Sequence, residues 1–465
     1  MMFVVQAFWA LVCDLTLPGE TMRDLTQGPI PGHLLTMAAP IAAGMLAQTL
    51  YFLVDLYFVA QLGDAALAGV GAAGIAMFVV MALTQTLGVG AMALISQAVG
   101  RKDSDDANLI FNQSMALATV CTAATLIGGY AMTGWYMQSI GADAATAQAG
   151  TTYLHWFLPG LALQYVSMVM VSALRGTGVV KPTMIVQLVT VLLNAILAPV
   201  LIAGIGTGRP LGVAGAGLAS TISIVAGVLL LVWYFRSLER YVNFHAGQWR
   251  PRFAVWGRMI NIGLPAGGEF ALMFVYMATI YWVIRDFGAT AQAGFGLGMR
   301  LMQSIFLPAM AIAFATGPIA GQNYGARQYP RVRATFRSAA AMSVALMIVL
   351  TLLCQLRPDW LVRGFTGDPG VIEVGSHFLR LISWNFAASG LIFTCSGVFQ
   401  GLGHTWPALA SSASRLFTFM LPAFWLSTQP WLELDHVWYL SVASVWTQAA
   451  VSVFLLQRVM QRRLA

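Results

Sequence analysis

The chain alternates between long apolar runs and short polar breaks. Beyond residue 33 there are twelve runs, at 34–60, 66–98, 107–136, 144–173, 183–205, 212–235, 256–284, 290–321, 334–356, 371–397, 407–428 and 436–457. Each is long enough, at about 20 residues or more, for an α-helix to cross a bilayer. The breaks are made of turn formers: GRKDSDD at 100–106, RGTGVVKP at 175–182, TGRP at 207–210 and TGDPG at 366–370. The pattern predicts an all-α integral membrane protein with twelve transmembrane helices. Residues 1–13, MMFVVQAFWALVC, are apolar but too short to span, and no basic residue precedes them as in a signal peptide. A polar restart follows at Met22, so residues 1–21 are expected to be a dispensable extension.

The twelve runs fall into two sets of six. Laying Pro40 on Pro265 and sliding the chain along itself without a gap brings the punctuation into register. Gly63 then meets Gly288, and Gly69 and Gly71 meet Gly294 and Gly296. Gln97 and Gly100 meet Gln322 and Gly325. Trp135, Asp143 and Gly150 meet Trp360, Asp368 and Gly375. Gly176, Gly178 and Pro182 meet Gly401, Gly403 and Pro407. Six spans return the chain to its starting side, so the halves insert the same way up and are related by a parallel pseudo-two-fold. The expected domains are an N-terminal extension (1–33), a six-helix lobe (34–236), a linker (237–255), a second six-helix lobe (256–460) and a short tail (461–465).

Composition agrees: 58% of residues are hydrophobic and 9% charged, against about 25% charged in a soluble domain. The net charge of +7 could point to nucleic acid. The basic residues lie in connecting loops, however, and act as topology signals instead. Of 24 Lys and Arg, seventeen fall at or beyond one end of the twelve spans and four at the other; Arg300, Arg380 and Arg415 fall deeper within spans. This predicts that both termini are cytoplasmic, in a plasma membrane of bacterial inner-membrane type. The cysteines Cys13, Cys121, Cys354 and Cys395 are far apart, with no CxxC or Cys/His cluster, so no metal site is expected. His155 and His377 lack partners at ligand spacing.

One carboxylate interrupts the first run. Asp55 lies about five residues from its end, ~8 Å inside the outer face at 1.5 Å per residue. An ionisable side chain there costs a few kcal/mol and marks a functional position. Glu269 lies near mid-membrane in the seventh span. Its depth suits an ion pair with Arg300 on the eighth, and Arg415 completes a possible polar site in the second lobe. Glycines within spans, such as Gly69, Gly71, Gly88 and Gly90, are expected to allow close helix packing. The 24 methionines suit an adaptable apolar cavity.

VDLYFVAQLGDAALAGVG, from the end of the first run across the first break, SQAVGRKD, LRGTGVVKP, NAILAPVLI and LGVAGAGLASTIS together resemble the multidrug and toxic compound extrusion (MATE) family. The likeness runs from about residue 22 to the end. It implies two six-helix lobes around a cleft, alternating access, and export coupled to entry of H⁺ or Na⁺. It also implies that Asp55 is the cation-coupling residue, with Gln48, Tyr51 and Asn194 around it. Either Ser220 or Thr221 matches the family's sixth-span hydroxyl, and Pro40 its bending proline. Ala198 stands where many members carry a second acid. Sodium takes several oxygen ligands, so a lone carboxylate favours H⁺.

The expected function is a proton-coupled antiporter, needing no cofactor, for bulky amphipathic or cationic compounds. It would work as a monomer among membrane lipids, without nucleic acid. A lipid-linked oligosaccharide flippase of similar architecture is the alternative, on the strength of the three intramembrane arginines. Enzymes of the membrane interior show paired acids or His–acid pairs within spans, and these spans show neither.

Overall fold

The computed structural model describes residues 22–464 apart from 207, 240, 365 and 366. The extension at 1–21 lies outside the described residues. Among the described residues, eleven helices are long and apolar enough to cross a membrane. Nine come first: α1 (Ile30–Ala60), α2 (Asp64–Gly100), α3 (Ser104–Ile140), α4 (Ala144–Gly176), α5 (Lys181–Ile202), α6 (Val213–Ser237), α7 (Phe253–Ile284), α8 (Ala289–Gly325) and α9 (Tyr329–Leu356). After a short α10 (Pro358–Arg363), the tenth span is α11 (Pro369–Ile382) and α12 (Phe386–Gly401), joined by a 3₁₀ turn at Ser383–Asn385. The last is α15 (Leu434–Arg463).

The run at 407–428 is not one regular helix. It forms α13 (Trp406–Arg415), a π-turn at Leu416–Met420 and α14 (Leu421–Leu426). Two features coincide with the break. Pro422 lacks the amide that a regular helix would use. The Arg415 guanidinium lies over the Tyr276 ring, 3.4 Å from its centre, while Phe419 in the π-turn packs on the same ring at 4.6 Å. A hydropathy pattern carries no trace of this.

The repeat is one of conformation as well as sequence. Gly63 and Gly288, equivalent positions of the two halves, adopt φ of 103° and 88° ahead of α2 and α8, values that only glycine reaches without strain. Lys102 and Arg327, equivalent in the same way, take φ of 60° and 58° in the turns after those helices. Asp143 caps α4 by accepting from the Thr146 amide at 2.7 Å. Asp368 caps α11 from the Gly370 amide at 2.8 Å. Short side-chain oxygens at these positions satisfy amides that have no partner inside the helix.

Each lobe has its own aromatic core. In the first, Phe111 stacks on Phe235 at 4.9 Å. In the second, Trp438 meets Phe295 at 5.5 Å and Phe378 at 4.8 Å. The linker is laid along α3 rather than left loose. Asn112 Nδ2 donates to the Asn243 carbonyl at 2.9 Å, Gln113 Nε2 to that of Arg250 at 2.8 Å, and the Arg252 amide donates to Gln113 Oε1 at 2.8 Å.

The lobes meet along α2 against α7 and α1 against α8. Small residues make the approach possible. A Cβ at Gly263 or Gly267 of α7 would collide with Thr86 of α2, and one at Gly90 with the Met259 backbone. On the other side, Leu34, Met37 and Ile41 of α1 join Ala311, Ile312 and Ala315 of α8 in one apolar cluster. Both contacts lie toward the end of the molecule that carries Arg101, Lys102, Arg327 and Arg331, here termed the basic face. Farther out, Phe78 of α2 meets Phe274 of α7 at 4.3 Å. Beyond that pair, Gly71 and Gly74 face open space.

Of the span glycines, Gly69, Gly88 and Gly90 do sit at helix contacts, whereas Gly71 does not. A Cβ at Gly69 would come within 2.7 Å of the Gly150 amide nitrogen and the Thr146 carbonyl oxygen. Gly69→Val should therefore destabilise the protein by about 1–3 kcal/mol, the usual cost of overpacking. Gly71→Ala should be neutral or slightly stabilising. Thermal unfolding of both variants in detergent checks the difference; equal melting temperatures would contradict the packing described.

Candidate functional site

The first-lobe cluster is built from one stripe of α1. Ala47, Tyr51, Asp55 and Val59 are its buried residues there, spaced by four. Such a row is inclined to the helix axis, because four residues at 100° each overshoot a full turn by about 40°. Gln48, seven residues before Asp55, therefore falls at the edge of the stripe and is exposed. The structure does not bring it to the carboxyl.

Tyr51 and Asp55 are each 8% exposed, and Asn194 of α5 and Ser220 of α6 are fully buried beside them. Asn194 Nδ2 donates to Ser220 Oγ at 3.4 Å. The Ser220 hydroxyl also stands next to the Asp55 carboxyl and the Tyr51 phenol. Thr221 turns elsewhere and donates to the Trp156 carbonyl at 2.6 Å. Of the two hydroxyls that the sequence offered, Ser220 is the one in the cluster. Ala198, one turn after Asn194, is fully buried, so a methyl group occupies the place of the second acid. Pro40 lies inside α1, which continues as helix through it.

Among the described residues, three polar atoms of this cluster find no hydrogen-bond partner: Asp55 Oδ1, Asn194 Oδ1 and Tyr51 Oη. Buried polar groups are ordinarily paired, so three orphans in one cluster make it the candidate site. One serine proton cannot satisfy two acceptor oxygens. Among the described residues no ion pair reaches Asp55. Tyr153 of α4, fully enclosed, lies within electrostatic range of both Asp55 and Tyr51. Sequence reasoning missed it, because one tyrosine among 13 carries no positional signal.

The second-lobe residues do not form one site. Glu269 of α7 accepts from Ser396 Oγ of α12 at 3.2 Å, and Gln400 Nε2 donates to that same Ser396 oxygen at 3.3 Å. Arg300 is on the exposed side of α8 and makes no ion pair among the described residues. The pair with Glu269 suggested by equal depth is not formed, since depth says nothing about which way a side chain faces around its helix. Arg415 is held by the Tyr276 ring, and the Tyr276 hydroxyl bonds Ser441 at 2.8 Å. His377 contacts Asp435 at 2.7 Å, and His155 stacks on Tyr130 at 5.7 Å. Among the described residues no group of three His, Cys, Asp or Glu side chains is arranged to hold a metal ion.

This fold, with a buried carboxyl in one lobe of a twelve-span double repeat, is that of a membrane transporter. The sequence pattern of the MatE family matches residues 40–200 and 265–425, two stretches that begin at the equivalent prolines Pro40 and Pro265. The chain belongs to this family, the multidrug and toxic compound extrusion transporters. It is similar to a FAD transporter of Shewanella oneidensis, 24% identical over 409 residues, covering 86% of this chain and 89% of that protein. It is also similar to the multidrug export protein MepA of Staphylococcus aureus, 24% identical over 391 residues, covering 83% and 84%. Among solved structures, a MOP superfamily transporter from Pyrococcus furiosus superposes with a TM-score of 0.88 at 23% identity, over 96% of this chain and 99% of that one. A multidrug resistance MATE transporter solved in an outward-facing conformation gives the same values. At that identity the likeness is one of fold: twelve helices in two lobes.

The separation of Glu269 from Arg300 is testable. In a double-mutant cycle of Glu269→Gln and Arg300→Met, the stability changes should add to within about 0.5 kcal/mol, as for residues without contact. Ser396→Ala should by contrast couple to Glu269→Gln. Detergent melting of the single and double variants measures both; a coupling well above that limit for the arginine would restore the pair.

Proposed function

We propose that the protein is a proton-coupled antiporter that exports bulky amphipathic or cationic compounds by alternating access, with its basic face in the cytoplasm. The observation that carries this reading is the Asp55 cluster: a carboxyl among neutral Tyr51, Asn194, Ser220 and Tyr153, with acceptor oxygens left unpaired. A proton on Asp55 turns an acceptor into a donor and removes the charge, which changes what α1 can pack against. With Ala198 in place of a second acid, the site offers a sodium ion only one charged ligand. The names of relatives, a FAD transporter and a multidrug export protein, support a bulky organic substrate. The concentration of basic residues at one face supports the orientation.

Proton binding drives export only if the protonated and deprotonated states differ in affinity for the substrate. Bending of α1 at Pro40 is the movement that the reading assigns to protonation. Glu269, hydrogen-bonded to Ser396 and without a basic partner among the described residues, is a second protonatable position in the other lobe.

Asp55→Asn should insert and still bind a cationic dye, yet lose export driven by a pH gradient. The measurement is dye uptake into inverted vesicles under a pH gradient alone, then under a Na⁺ gradient alone. Full export by Asp55→Asn would refute the role of Asp55. Wild-type transport that needs the Na⁺ gradient and ignores the pH gradient would refute the proton. Ser220→Ala should impair the pH-driven rate roughly tenfold, the scale of one lost hydrogen bond to a charged group, while Thr221→Ala should leave it near wild type.

A further inference from the structure

The seam at the basic face is built twice, once from each repeat. Gln97 of α2 reaches across to α12, where its Nε2 donates to the Gly401 carbonyl at 2.9 Å. Gln322 of α8 reaches the other way, to α4, where its Nε2 donates to the Gly176 carbonyl at 2.9 Å. The two donors are equivalent positions of the repeat, and so are the two acceptors. Gly176 and Gly401 are the last residues of α4 and α12. Carbonyls at helix ends have no partner inside their own helix. Each glutamine thus caps the C-terminus of a helix in the opposite lobe.

Two glycines permit this approach. A Cβ at Gly100 would collide with the Gln322 carbonyl, and a Cβ at Gly325 with the Gln97 carbonyl. The chain ahead of α1 is fastened across the same seam. The Arg23 amide donates to the Thr177 carbonyl of the first lobe at 3.1 Å. The Leu25 amide donates to Gln322 Oε1 at 3.0 Å, and Asn323 Nδ2 to the Leu25 carbonyl at 3.1 Å. Arg331 donates to the Gly28 carbonyl at 3.0 Å. Asp24 in this strap lies within electrostatic range of Lys102 of one lobe and Arg331 of the other.

We infer that Gln97 and Gln322 form a reciprocal latch, reinforced by residues 23–28, that holds the basic face shut and sets the balance between the two access states. The two glutamine caps and the bonds from Leu25 and Gly28 to Gln322, Asn323 and Arg331 join the lobes, so they exist only while this face is closed, whereas the Arg23–Thr177 bond fastens the strap to its own lobe. In an open state water takes over the exposed carbonyls. The latch therefore stabilises one state over the other without touching substrate or proton, which is what a two-state carrier needs in order to return. Gln322 serves both the cap and the strap. Its loss should shift the balance further than loss of Gln97. This inference rests on the alternating-access reading above.

The test uses the full chain with its four native cysteines replaced and spin labels at Asp105→Cys and Pro330→Cys, equivalent exposed positions beside the seam. Gln97→Met and Gln322→Met keep side-chain length while removing the donors. Each should raise the ratio of long to short label distances by about tenfold, the scale of a buried hydrogen bond and its unsatisfied carbonyl, and the double variant should raise it more. Gly100→Ala should act in the same direction by steric means. Gln355→Met, which removes bonds to the Arg380 carbonyl and Ser383 within the second lobe only, should leave the distribution unchanged. Transport by the latch variants should show an altered maximal rate, with apparent dye affinity at the basic face raised as its open state becomes more populated.

The latch is overturned if wild-type distances respond to dye and pH while the Gln→Met variants show the wild-type distribution. It is also overturned if Gln355→Met moves the distances as much as they do. A single short distance in every variant and condition would instead remove alternating access itself, and the latch with it.

Discussion

Inside a bilayer two apolar helices gain nothing by leaving lipid for each other, because lipid tails are as apolar as leucine. Adhesion between the lobes must come from close backbone contact and from hydrogen bonds. This constraint explains where the glycines lie. Gly263 and Gly267 let α7 reach Thr86 of α2, and Gly100 and Gly325 let two helix ends touch across the pseudo-two-fold. The adhesive contacts concentrate toward the basic face, and farther out Gly71 and Gly74 meet open space. A fold held at one end by contacts of this kind can exchange them for others at modest cost.

The two repeats share a frame but not a chemistry. Turn conformations, helix caps and seam glutamines recur at equivalent positions of the two halves. The carboxyls do not. Asp55 corresponds to Ile280, and Glu269 corresponds to Gly44. The frame is what two lobes need in order to pack against each other. The polar sites are embedded in it one lobe at a time, where three helices enclose a side chain. In the first lobe α1, α5 and α6 enclose Asp55. In the second, Glu269 is left to a serine on α12.

Membership in the transporter family and the double six-helix architecture were readable before any coordinates, as was Asp55 as the residue out of place. Each rests on local physics. The cost of moving a segment from water to lipid is nearly additive over its residues, so composition and length reveal spans. A lone carboxylate in such a segment is conspicuous for the same reason. Turn residues answer to backbone dihedral angles and so repeat visibly.

Other features depended on how helices rotate about their own axes and on what faces them. Gln48 and Tyr51 share Asp55's side of α1 by spacing alone, yet only Tyr51 is enclosed. Ser220 and Thr221 are neighbours in sequence and point to different partners. Arg300 and Glu269 are matched in depth but turned apart, and the break after Arg415 follows the ring of Tyr276 on another helix. Tyr153 joins the Asp55 cluster from a helix with no polar pattern to announce it. Sequence determined which segments cross the membrane and which residue is costly there, because those energies belong to single residues. Tertiary structure decided which side chains meet, because contact energy belongs to pairs, and the orientation that brings a pair together is set by the packing of every helix around it.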